Sequence, residues 1–165
     1  MRILAIDPGY ERLGIAVLEK MPAERRERVL YSDCFKTSAS LPFPERLLAI
    51  GAEIGRVIGE YSPEMLATET LFFSTNTKTA MKVAETRGVI LYEAKRNGLA
   101  VVEFSPADVK IAVAGWGRGD KKQVIAMVGK LVEITKEIRH DDEYDAIAIG
   151  LTCFAHHRPA VKKSQ

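Results

Sequence analysis

Four acidic side chains fall where they could share one task. Asp7 closes the apolar run Ile3–Ile6 and is followed at once by Pro8-Gly9. Glu69 follows a second apolar run, Met65-Leu66-Ala67, with Thr68 between them. Asp142 and Asp145 stand three apart in a segment of helical apolar spacing, so both carboxylates can point at one spot. Crowded carboxylates repel, and protons or cations must neutralise some of them. Oxygen-only donors favour Mg²⁺ or Mn²⁺ over Zn²⁺. Two such ions about 3.5–4 Å apart can activate water and support the leaving oxygen in phosphoryl transfer.

Each acid also has an ordinary reading. Asp before Pro-Gly is a common turn residue, and Glu69 could be the polar end of a strand. Asp141 and Asp142 suit the first turn of a helix through its dipole. Asp145 lies beyond that turn, next to an apolar stripe, and resists such a reading. Spacing alone leaves Asp141 in competition with Asp142, because residues four apart also share a helix face. The combination carries the indication, not any single residue.

The elements that must position these acids can be read from periodicity and turn residues. Arg2–Asp7 and Leu13–Leu18 read as strands around the Pro8-Gly9 turn, and Val29–Thr37 as a third, giving an antiparallel opening. Pro42 and Pro44 introduce a helix carrying Leu47, Leu48, Ile50, Ile54, Val57 and Ile58. Met65–Thr70 fits a buried fourth strand, and a long helix runs from about Thr77 to Asn97, before Gly98. Leu99–Phe104 is a fifth strand. Short helices follow from Pro106 and from Asp120 to Glu133, and a last helix starts near Asp141 with Tyr144, Ile147, Leu151 and Phe154 on its stripe. The order predicts an α/β fold, a five-stranded mixed sheet flanked by helices. If strands one and four are parallel neighbours, Asp7 and Glu69 meet at the strand edge where such folds place their sites.

The motifs resemble those of RuvC-type resolvases. Arg2-Ile3-Leu4-Ala5-Ile6-Asp7-Pro8-Gly9 with Gly14 resembles the family's opening. Ala67-Thr68-Glu69-Thr70-Leu71-Phe72 and Ala84-Glu85-Thr86-Arg87-Gly88-Val89 look like its central strand and following helix. Asp142-Glu143-Tyr144-Asp145-Ala146-Ile147-Ala148-Ile149 looks like its closing segment. The resemblance covers about residues 2–156 with the motifs in order. It implies an RNase H-like fold and a homodimeric, two-metal endonuclease that resolves four-way (Holliday) DNA junctions by paired symmetric nicks, in recombination and repair. Asp7, Glu69, Asp142 and Asp145 would hold two Mg²⁺ ions, with Mn²⁺ also supporting activity. The resemblance favours Asp142 over Asp141, and Lys121 as the catalytic lysine, with Lys122 its alternative. It further implies DNA contacts for Phe72 and Lys110, 5′-phosphate and 3′-hydroxyl products, and a branch-migration complex as partner. Leu13, where many relatives have a small polar residue, and the loop Gly115-Trp116-Gly117-Arg118-Gly119 depart from the pattern.

Around that core, other residues suggest DNA contact. Phe72 or Phe73 can stack on an unpaired base, while Thr75 and Asn76 can bond phosphates. Lys110, Arg118, Lys121 and Lys122 form a basic cluster, with Lys162 and Lys163 near the end of the chain. The helix from Thr77 has apolar residues on more than one face, among them Met81, Val83, Val89, Ile90 and Tyr92, which suggests a partner subunit.

Composition sets the frame. The chain has 165 residues, 47% hydrophobic and 28% charged, suited to a single domain with its own core. Residues 1–158 are expected to form it, with 159–165 a flexible tail. No apolar run reaches membrane-spanning length, so a soluble, cytoplasmic protein is expected. Cys34 and Cys153 are expected as buried, reduced thiols, and His140, His156 and His157 as surface or helix-end residues. The net charge of +2 excludes little. Two other readings remain open: an RNase H-like nuclease acting on RNA or other branched DNA, and a structure-selective DNA-binding protein. An acidic cluster disfavours the second, since phosphate binding gains nothing from it.

Overall fold

β1 (Arg2–Asp7), β2 (Arg12–Glu19) and β3 (Glu27–Lys36) run antiparallel in chain order. In the computed structural model, residues 1–21, 24, 26–70, 77–115, 117 and 120–157 are described. Phe72, Phe73, Thr75, Asn76, Trp116, Arg118, Lys162 and Lys163 lie outside them, as does the expected tail.

α1 (Phe43–Tyr61) begins just after Pro42, where a fixed φ is pre-set for a helix. β4 (Met65–Glu69) then enters parallel to β1, and β5 (Ala100–Phe104) parallel to β4, with α2 (Thr77–Arg96) as the crossover between them. α3 (Pro106–Ala114), α4 (Lys121–Leu131) and α5 (Asp141–His156) complete the chain. The sheet order is β5-β4-β1-β2-β3-β6.

The last strand, β6 (Val132–Glu133), corrects the expected count of five strands to six and ends the helix expected to reach Glu133 at Leu131. Val132 and Glu133 pair in parallel with Glu27 and Arg28. Two residues cannot display an alternation, so periodicity merges them with the helix before them.

The sheet separates two cores. Ile3, Ala5, Ala16, Leu18 and Ala67 pack against α3, α4 and α5 on one face. Leu4, Ile6, Ile15, Val17 and Leu66 pack against α1 and α2 on the other. α5 is buried from Ala146 to Phe154 on all sides, wider than the single stripe expected, because it lies between the sheet and α3 and α4. Gly150 makes that seat: a Cβ there would stand 2.5 Å from a Leu18 methyl and 3.3 Å from Ala5 Cβ. Cys34 and Cys153 are buried and unpaired. No helix among the described residues is long and apolar enough to cross a membrane.

Candidate active site

β1 and β4 arrive at the site side by side, with Ile6 opposite Thr68. The next residue of each strand, Asp7 and Glu69, therefore reaches the same edge, at the carboxyl ends of parallel strands. Side chains alternate with a period of two, so Asp7 continues the row Ile3–Ala5 and Glu69 the row Met65–Ala67, both facing α5.

α5 is brought to this edge by two close fits. Gly14 pairs with Asp7 across β1 and β2. A Cβ on Gly14 would stand 2.2 Å from the Asp142 carbonyl oxygen and 3.2 Å from Asp7 Cβ, so only glycine lets the helix start here. The second fit is Glu143, a buried carboxylate 2.8 Å from Ser32 Oγ and 2.7 Å from Lys136 Nζ. Burial alone would raise its pKa; Lys136 and Ser32 outweigh burial and hold it below the usual range. Glu143 thus anchors the first turn of α5 to β3. Three acids in that turn, Asp141, Asp142 and Glu143, also suit the helix dipole.

α3 and α4 supply the basic rim, and each is fixed by a reciprocal cap. Ser105 Oγ accepts from the Asp108 amide at 3.1 Å while the Asp108 carboxylate accepts from the Ser105 amide at 3.0 Å. Asp120 and Gln123 do the same for α4, at 2.8 and 3.2 Å. Lys121 is consequently the first residue of a helix, where a cation opposes the dipole. Its compensation is across the cleft: Lys121 Nζ lies 3.0 Å from Asp145 Oδ2 and 3.3 Å from Asp141 Oδ2.

Asp7, Glu69, Asp145, Lys110 and Lys121 all line one cavity of about 360 Å³, with Asp120 at its side and Val109, Val124 and Ala148 as its apolar wall. Burial, then the charges of Asp145, Glu69 and Asp142, push the Asp7 carboxyl up to about 7, against a smaller opposing effect of Lys121. Burial and Asp145 raise Glu69, with Lys110 opposing. Burial also raises Asp145, partly offset by its bond to Lys121. Lys121 itself is held above its usual range: burial disfavours its charge, but Asp145 and Asp141 outweigh that. The cavity therefore holds more negative charge than its lysines neutralise.

The sequence-derived candidates separate here. Asp7, Glu69, Asp145, Lys110 and Lys121 come together, while Lys122 is exposed and is not part of the lining. Asp142 and Asp141 stand outside the lining as well. Asp141 turns to Lys121, and Asp142 is ion-paired with Arg12, with the Cys34 thiol 3.5 Å from the same Oδ2. As the side chains stand, no three His, Cys, Asp or Glu among the described residues are grouped to ligate one ion. Arg12, Cys34 and Glu143 carried no sequence signal: a charge after a turn, a thiol in a strand and an acid in a run of acids are each ordinary.

Comparison with known proteins identifies the family. Residues 3–153 match the family model of the crossover junction endodeoxyribonuclease RuvC. The chain is 45% identical over 156 residues to the Crossover junction endodeoxyribonuclease RuvC of Desulfitobacterium hafniense, covering 94% of this chain and 93% of that protein. Among solved structures, that of Thermus thermophilus RuvC superposes with a TM-score of 0.84 at 33% identity, covering 94% and 96% of the two chains. The same protein in complex with Holliday junction substrate gives a TM-score of 0.85 at 34% identity, covering 92% of each.

Proposed function

The chain belongs to the RuvC family of crossover junction endodeoxyribonucleases, and on that premise we propose that it resolves four-way (Holliday) DNA junctions in recombination and repair, its cavity of Asp7, Glu69 and Asp145 hydrolysing phosphodiester bonds in paired symmetric nicks. The observation that carries this reading is the cavity itself. Three elements bring three carboxylates together beside only two lysines of the lining, Lys110 and Lys121, a surplus of negative charge; burial first, and then the neighbouring acids, push Asp7 up to about 7.

That surplus is the fit expected of a divalent cation site. The donors are oxygen only, which suits Mg²⁺ or Mn²⁺, and burial first, then their crowding, raises the proton affinities of Asp7, Glu69 and Asp145, the response expected of carboxylates that a cation would relieve. Asp7, Glu69 and Asp145, joined by Asp142 from the first turn of α5, would hold two Mg²⁺ ions, with Mn²⁺ as a substitute. Bound there, the ions supply Lewis acidity at the phosphate and lower the pKa of the attacking water.

The chain's own residues do the rest. Lys121 places its ammonium where charge grows on the phosphate and can donate to it as the bond breaks. Lys110 meets the phosphate from the α3 side of the cavity. Lys122, one residue on, takes a neighbouring phosphate of the strand. Phe72, Phe73, Thr75, Asn76 and Arg118 are assigned to DNA contact on sequence grounds. The apolar wall limits water around the reacting group, which strengthens each charge interaction.

The second apolar face of α2 is uncovered in the monomer. Met81 and Tyr92 are exposed, and Tyr92 and Val89 line a groove with Leu48, Gly51 and Gly55 of α1. Gly88 has open space above it. This face is the surface assigned to a second copy, which makes the enzyme a two-fold dimer with two sites for two nicks. The nuclease domain is residues 1–158, followed by a tail, and a branch-migration complex is its further partner.

The test is a labelled immobile four-way junction beside a linear duplex of the same sequence, with Mg²⁺. Paired nicks in the junction alone, lost in Asp7→Asn while binding persists, are the expected result. Junction binding with no cleavage under Mg²⁺ or Mn²⁺ would leave a DNA-binding protein.

A further inference from the structure

Asp142 is turned away from the acids it is meant to join. Its backbone stands against Gly14 beside Asp7, yet its carboxylate is held by the Arg12 guanidinium and the Cys34 thiol. Arg12 opens β2 at the mouth of the site, and its side chain is 49% exposed against 21% for Asp142. Register places Arg12 opposite Lys36 on β3, and Lys36 Nζ is 3.0 Å from His140 Nε2. Arg12, Lys36 and His140 thus lie together beside the start of α5, and among the described residues the carboxylate paired with Arg12 is that of Asp142.

From this arrangement we infer that Arg12 is a latch on Asp142, released when a DNA phosphate takes its guanidinium. This rests on the reading of Asp142 as a cation ligand. In the DNA-free protein Arg12 already neutralises Asp142, so the cavity offers a cation Asp7, Glu69 and Asp145 without it. A phosphate takes a guanidinium bidentately as a carboxylate does, and half-exposure leaves Arg12 within its reach. Once Arg12 turns to the backbone of the DNA, Asp142 is free to complete the site. Binding of DNA and of the cation then reinforce each other, and by linkage the reinforcement is equal in both directions. The device keeps a nuclease poorly loaded until its substrate is in place.

The test uses Mn²⁺ alone with the full chain and no DNA, read from the EPR signal of the free ion. The proteins are wild type, Arg12→Gln, Asp142→Asn, the double variant, and Lys36→Gln, which removes one nearby charge without touching Asp142. Arg12→Gln is expected to bind Mn²⁺ roughly three- to ten-fold more tightly, and Lys36→Gln to change it by less than about two-fold. The double variant is expected to bind no better than Asp142→Asn. In EDTA, where no cleavage occurs, Arg12→Gln should weaken junction binding and lower the slope of log affinity against log salt by about one. Weaker Mn²⁺ binding by Asp142→Asn with no gain in Arg12→Gln overturns the latch and leaves the site reading intact. An undiminished salt slope also overturns it. Equal Mn²⁺ affinity in Arg12→Gln and in the double variant, both above wild type, removes Asp142 from the ligand set and the latch with it.

Discussion

Asp7→Asn should stabilise the cation-free protein at neutral and alkaline pH, the reverse of the usual effect of mutating a buried polar residue. The folded protein holds the Asp7 proton up to about pH 7, whereas the unfolded chain gives it up near the ordinary value of 3.8. Stability from this group is therefore full below about pH 4 and is lost as pH rises through 7. Three pKa units correspond to about 4 kcal/mol, an upper bound because water at the cavity mouth screens the charges. Between pH 5 and 8 the loss is about 2.5 kcal/mol, or roughly 5–10 °C in Tm for a domain of this size. Thermal unfolding in EDTA at pH 5, 6, 7 and 8 should show that decline in wild type and a much flatter profile in Asp7→Asn. Millimolar Mg²⁺ should restore the wild-type Tm at pH 8 and leave the variant nearly unchanged. Parallel pH profiles for the two proteins would refute the reasoning, since Asp7 would then carry no burden of unneutralised charge.

Three further outcomes follow from the packing and the rim. Gly14→Ala drives a Cβ into the Asp142 carbonyl oxygen and should cost about 3 kcal/mol by urea unfolding together with most of the cleavage activity. Gly150→Ala meets chiefly the movable tip of Leu18, with Ala5 Cβ at 3.3 Å, and gains helix propensity, so it should cost about 1 kcal/mol and leave activity near wild type. Lys121→Met should lower the single-turnover cleavage rate by about 10²- to 10³-fold. Its Tm should move little, because the ion pairs lost are half-exposed and contribute under about 1 kcal/mol.

The legible parts of this molecule were those that repeat or that punctuate. Alternation and helical spacing identify five strands and five helices, and the Pro8-Gly9 turn after Ile3–Ile6 fixes the end of β1. The meeting of Asp7 and Glu69 was legible only on the condition that strands one and four are parallel neighbours, and the structure supplies that pairing. β6 escaped because two residues have no period. The all-round burial of α5 escaped because a stripe on one helix says nothing of a third layer above it. At the site, sequence placed Asp142 and Asp145 on one helix face, which holds, yet rotamers and partners decide where a carboxylate points. Asp145 turns into the cavity beside Lys121, while Asp142 turns to Arg12. The resemblance favoured Lys121 over Lys122; in the structure the Asp120 cap sets the first turn of α4, and Lys121 is the one that lines the cleft. Glu143 shows the converse: an acid that looked like its neighbours is the buried anchor of the helix.

The central claim is that the cavity of Asp7, Glu69 and Asp145 is the cation site of a nuclease. Anomalous scattering from crystals soaked in Mn²⁺, with DNA bound under conditions that prevent cleavage, tests it most directly. Two peaks are predicted inside this cavity, among Asp7, Glu69 and the acids of α5. Peaks elsewhere on the protein, with this cavity empty at saturating Mn²⁺, would contradict it.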